Sequence, residues 1–136
     1  MKQVKSIPFL LISLALISQS CTKQSPDKRV TITTTPAQTI NATVSAKSPY
    51  SLNVNNMGDV SVSKQAAHFE LSQTETDPKD GTRLYKYVPQ GDYAGTDEVE
   101  LLASKTSYST GTGCNSGRGE ITTYNSTIVI KFTVSK

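Results

Sequence analysis

The chain has 136 residues, with 14 Lys+Arg against 11 Asp+Glu, a formal charge of +3, one His, two Cys and no Trp. Lys2 and Lys5 lie in the first 20 residues; without them 12 basic side chains stand against 11 acidic ones, scattered singly. That excludes a nucleic-acid binder built on clustered Lys/Arg with interleaved aromatics. A single His and a single cysteine beyond residue 21, with no Cys-x-x-Cys or His-x-x-x-His spacing, exclude a zinc site.

Residues 1–20 open with Lys2 and Lys5 and continue into an apolar run, Ile7 to Ile17, broken only by Pro8 and Ser13. This reads as an export signal, since a membrane span needs about 20 apolar residues. Cys21 follows the small Ser20 at the end of that run and resembles a bacterial lipobox, with Ser18 and Gln19 similar to the relaxed boxes of Bacteroidota lipoproteins. The resemblance implies lipidation of the Cys21 thiol, which then becomes the first mature residue. Ordinary cleavage near Ser20 and an uncleaved segment are the alternatives. Cys21 and a flexible tether, Thr22 to Lys28 with Pro26, lead to one expected domain over 29–136. The implied location is the cell envelope, lipid-anchored on a periplasmic or surface face of the outer membrane.

The rest of the chain is crowded with Thr, Ser, Val and Ile, and no stretch sustains a helical apolar repeat. Period-two alternation predicts strands at Val30/Ile32, at Ile40/Ala42/Val44, at Leu52/Val54 and at Val60/Val62. Phe69 and Leu71 begin another, and Asp77-Pro78-Lys79-Asp80-Gly81 supplies hairpin chemistry before Leu84 to Val88 returns. Val99 and Leu101 alternate with Glu98 and Glu100. The cleanest run, Ile128, Ile130, Phe132 and Val134, is expected to be a central strand with Phe132 inside. About seven segments with a turn signal every 8 to 12 residues or so predict an all-β, two-sheet antiparallel sandwich.

Between the Tyr87 and Val99 strands lies a corner where Pro89 removes a ladder donor, Gly91 and Gly95 permit positive φ, and Asp92 and Asp97 can accept local backbone hydrogen bonds. Tyr87-Val88-Pro89 followed by Asp92-Tyr93-Ala94-Gly95-Thr96-Asp97 resembles the Tyr-x-Pro, then Phe/Tyr-x-Gly-x-Asp signature of bacterial Ig-like and cadherin-like tandem-repeat domains. Val99 and Leu101 stand where relatives carry aromatics. The resemblance implies a seven-stranded Ig-like (cadherin-like) sandwich used as a spacer or adhesive module, with Tyr87, Pro89, Tyr93, Gly95 and Asp97 as its structural corner. It also raises calcium at Asp97. The nearby carboxylates Asp92, Asp97 and Glu98 lack calcium-loop spacing, so Asp97 is read as a brace across the Gly95-Thr96 turn.

The remaining chemical candidates are sparse. Cys114 sits in the glycine-rich stretch Ser109 to Gly119, which matches no phosphate-binding spacing, and is an odd thiol if Cys21 is acylated; otherwise a Cys21 to Cys114 bridge is open. His68 is placed on the strand face opposite Phe69, toward solvent and away from any thiol. Glu98 and Glu100 share a wet face. Tyr50, Tyr108 and Tyr124 sit beside turn residues as a contact surface at one end of the sandwich. No cofactor or metal is expected. The sequence thus predicts an envelope lipoprotein acting as a binding, adhesion or structural module and not as an enzyme. Its partners would be the membrane, through the anchor, and a protein or glycan of the envelope. A carbohydrate-binding accessory lipoprotein is the alternative.

Overall fold

The computed structural model describes residues 28–46, 48–110 and 119–136. The export signal, Cys21, most of the tether and Cys114 lie outside the described residues. The chain forms strands β1 (Arg29–Ser45), β2 (Tyr50–Asn53), β3 (Asp59–Lys64), β4 (Phe69–Thr76), β5 (Arg83–Pro89), β6 (Gly95–Thr110) and β7 (Gly119–Ser135), with a 3-10 turn at Asn55–Met57. One sheet has the order β1-β7-β6-β3 and the other β2-β5-β4, and the two form the all-β, two-sheet sandwich that the strand spacing predicts. Every pairing is antiparallel except β1 with β7, which is parallel. β7 is flanked by β1 and β6, the central position its clean alternation predicts.

Alternating side chains of the two sheets meet in a single core. Val99 and Leu101 from β6 and Ile128, Ile130, Phe132 and Val134 from β7 face Tyr85, Tyr87 and Pro89 from β5. Phe132 stacks on Tyr87 at a centroid distance of 3.9 Å and 7° between planes, and meets the edge of Tyr50 at 5.3 Å and 77°. Stacked and edge-on ring contacts add to the area-driven gain of burying large rings. Tyr85 completes the layer through a buried 2.9 Å hydrogen bond with Ser72.

Bulges interrupt three of the ladders, and those in β1 and β4 overturn the inward faces that simple alternation assigns. The expected strands at Val30 and Ile40 are one strand, β1, whose register against β7 shifts between Thr35 and Gln38. Thr35 pairs with Ser126 and Gln38 with Ile128, so Pro36 and Ala37 together oppose Thr127. The extra residue reverses the alternation. Ile40, Ala42 and Val44 therefore line the core, whereas Val30 and Ile32 are 62% and 66% exposed on the outer face. Pro36 is tolerated because β1 is an edge strand and Pro lacks the ladder donor. In β4 a shift between Phe69 and Leu71 does the same: Phe69 opposes the buried Pro89, but Leu71 opposes the half-buried Val88 on the outer side. Phe69 and Leu71 do not share the inward face that simple alternation assigns them.

The β4–β5 hairpin forms where Asp-Gly chemistry predicts it. Gly81 N–H donates to the Asp77 carbonyl at 2.9 Å, and the Asp77 and Asp80 carboxylates accept from Lys79 and Thr82 N–H at 2.9 Å each. Gly58, which precedes β3, carries a constraint that the sequence alone does not announce. Its φ of 80° and ψ of −144° fall in territory nearly exclusive to glycine, and a Cβ there would sit 2.3 Å from the Ser104 carbonyl oxygen. Gly58→Ala is therefore expected to lower stability by about 1 to 3 kcal/mol from backbone strain alone, with the Ser104 clash adding to it. A urea melt with an unchanged midpoint would contradict that assignment.

Candidate functional site

Asp97 enters the site from the start of β6, at the end of the sandwich where β5 hands over to β6. It is the one charged side chain that is buried among the described residues. Oδ1 accepts the N–H of Ala67 at 2.8 Å and of Glu98 at 2.9 Å. Oδ2 accepts the N–H of His68 at 2.9 Å and the Tyr87 hydroxyl at 3.0 Å. Ala67 and His68 belong to the crossover from β3 in one sheet to β4 in the other, and Tyr87 comes from β5. One carboxylate thus ties both sheets and their connection together. The brace does not run across the Gly95-Thr96 turn, as local chain logic suggests; that turn is closed instead by the Tyr93 hydroxyl donating to the Thr96 carbonyl.

Burial pushes the Asp97 pKa up, but its four donors outweigh burial and hold it below the ordinary carboxylate value. Both oxygens are occupied by protein donors, so the carboxylate has no free lone pairs to offer a hard cation. No cluster of three or more His, Cys, Asp or Glu able to hold a metal occurs among the described residues.

The other corner residues fill structural positions. Pro89 is fully buried. Gly95 has φ 146°, and a Cβ would meet the Tyr93 hydroxyl at 2.9 Å, whereas Gly91 does not adopt the positive φ that the sequence allows it. Tyr93 stacks on His68, with centroids 4.0 Å apart and planes at 13°. His68 is accordingly half-buried against a ring and is not pointed freely at solvent. Its backbone carbonyl also accepts from Gln90 N–H at 3.2 Å.

Beside Asp97 lies a shallow groove of about 600 Å³, lined by Asn41, Lys64, His68, Glu98, Lys131 and Thr133 among others. Lys64 Nζ reaches Glu98 at 3.2 Å and Glu100 at 3.5 Å, and Lys131 Nζ reaches Glu98 at 3.9 Å. Glu98 and Glu100 are therefore bridged by lysine, and the charges of the groove are largely cancelled within it. Such exposed pairs are screened by solvent and add little to stability.

The three surface tyrosines are not brought together. Tyr50 is half-buried against Phe132. Tyr108 and Tyr124 are 76% and 46% exposed, Tyr108 two residues before the end of β6 and Tyr124 inside β7, and their register puts them on opposite faces. No groove with an aromatic platform for a sugar ring is formed by these three side chains.

The buried tyrosines give a titration test. Burial raises the Tyr85 hydroxyl to about 12 despite its bond to Ser72, and burial together with the Asp97 hydrogen bond raises Tyr87 further. A raised folded pKa means stability that is fully present below the unfolded value of about 10 and lost as pH rises through the folded one. Alkaline unfolding is thus expected from above about pH 10, with part of the tyrosinate absorbance appearing only as the fold is lost. A smooth titration of all six tyrosines in the folded state would contradict this.

No protein family, curated protein or solved structure matches the chain.

Proposed function

We propose that the chain is a membrane-anchored envelope lipoprotein whose single Ig-like domain serves as a binding, adhesion or structural module. The observation that carries this reading is the distance along the chain from thiol to fold: β1 begins at Arg29, eight residues after Cys21. At about 3.5 Å per residue at most, an acyl group on Cys21 would hold the entry of the domain within about 28 Å of the bilayer. The intervening Thr22 to Lys28, polar with one Pro, suits a tether. The chemistry inside the domain supports a non-catalytic role. The buried polar side chains Asp97, Ser72, Tyr85 and Tyr87 are bonded to one another or to backbone, which builds architecture and leaves them unavailable to a substrate.

Cys21→Ala is expected to release the protein from membranes into the soluble fraction. Wild type and variant would be compared by carbonate washing of total membranes and blotting. A variant that stays wholly with the membrane pellet would mean that the apolar run, and not a lipid on Cys21, holds the protein.

A further inference from the structure

β6 and β7 run well past the sandwich. β3 last pairs with β6 at Ser104, yet β6 continues to Thr110 against β7, and β1 continues beside β7 to Arg29. The result is a three-stranded arm with no sheet facing it, formed by β1 up to Thr35, β6 from Lys105 and β7 up to Asn125.

The bulge at Pro36 and Ala37 sets the faces of this arm. Val30, Ile121 and Tyr108 form one cross-strand row, with Ile32, Thr123 and Thr106 in the next. These side chains continue the outer face of the sheet. Arg29, Glu120 and Lys105 fall on the other face, with Tyr124. One face of the arm therefore presents Val30, Ile32, Tyr108 and Ile121 among threonines, with no charged side chain from Val30 to Thr34, Thr106 to Tyr108 or Ile121 to Thr123 at its register positions. Val30, Ile32 and Tyr108 are the most exposed large hydrophobic residues described. An uncovered apolar row on a sheet face calls for an occupant.

The chain itself points to which one. It enters the arm at the end, where Arg29 pairs with Glu120 and Thr110 with Gly119, so the arm tip is the part of the domain nearest Cys21 along the chain. We propose that the uncharged outer face of this arm, centred on Val30, Ile32, Tyr108 and Ile121, lies against the lipid headgroup region of the membrane that carries the anchor. The proposal rests on the lipoprotein reading above. Tyrosine suits the site because its ring is apolar and its hydroxyl stays wet, as in the aromatic belts of membrane proteins. The lipid anchor makes the contact effectively intramolecular, so a small apolar patch suffices where free partitioning would need a larger one. A second copy fits less well: four apolar side chains fall far short of the roughly 20 residues a side in a stable protein interface.

The test uses the full lipid-modified chain in vesicles of phosphatidylethanolamine and phosphatidylglycerol. Because the chain has no Trp, the variants Ile32→Trp, Tyr108→Trp and Tyr124→Trp each carry one reporter. Positions 32 and 108 are expected to show blue-shifted emission and quenching by headgroup-proximal spin-labelled lipid, while position 124 is quenched mainly by aqueous iodide. Equal iodide quenching at all three positions, in protein that carbonate washing leaves on the vesicles, overturns the docking and keeps the anchor. Loss of the protein from the vesicles on washing overturns the anchor and the docking with it. Shielding of positions 32 and 108 from both quenchers, with crosslinks between copies, assigns the face to a second copy and overturns the docking.

Discussion

Asp97→Ala is expected to lower the unfolding free energy by about 3 to 5 kcal/mol, since a buried donor left without an acceptor costs about 1 to 3 kcal/mol and several lose theirs together. The three backbone N–H groups of Ala67, His68 and Glu98, and the Tyr87 hydroxyl, all converge on this carboxylate. The loss should appear as a shifted urea midpoint. It should be the same with millimolar calcium as with chelator, because the donors already occupy both oxygens. A wild-type melting temperature that calcium raises, and that the variant lacks, would make Asp97 a ligand and not a brace.

The same residue sets an acid limit. Its pKa is depressed in the fold, so its stabilisation is fully present above the unfolded value of about 4 and lost as pH falls through the lower folded value. Asp97→Asn should abolish that part of the acid dependence while destabilising the protein at neutral pH. Parallel acid profiles for wild type and variant would show that the depressed carboxylate is another one.

Phe132→Ala should cost about 3 to 5 kcal/mol by deleting a buried aromatic and leaving a cavity. The ring is 1% exposed and bridges the sheets, face to face with Tyr87 of β5 and against the edge of Tyr50 of β2. Leu at this position should recover part of the loss. A denaturation midpoint unchanged in Phe132→Ala would mean that β7 presents its other face to the core.

The core face of β7 is legible in the sequence because one side of Ile128 to Val134 is dry and the other wet, which imposes a period of two. The Asp80-Gly81 hairpin and the inward Tyr85 and Tyr87 are readable for similarly local reasons. The arm is not: Thr106, Ser107, Thr122 and Thr123 lie on a ribbon with no sheet packed against either side, so nothing imposes an alternation. The outward turn of Val30, Ile32 and Leu71 follows from bulges, and only Pro36 offers a hint, as a residue that strands accept at edges or bulges. For Asp97, the spacing from Tyr87 places it at the corner, but its principal partners Ala67 and His68 lie about 30 residues earlier. No local turn logic reaches that far.

The lipid anchor is the premise on which both the proposed role and the docked arm depend, and the intact mass of the full protein extracted from membranes tests it most directly. The expected result is a mature chain that begins at Cys21 and carries the added mass of a diacylglyceryl group there. A chain that begins elsewhere, or an unmodified Cys21, would contradict it.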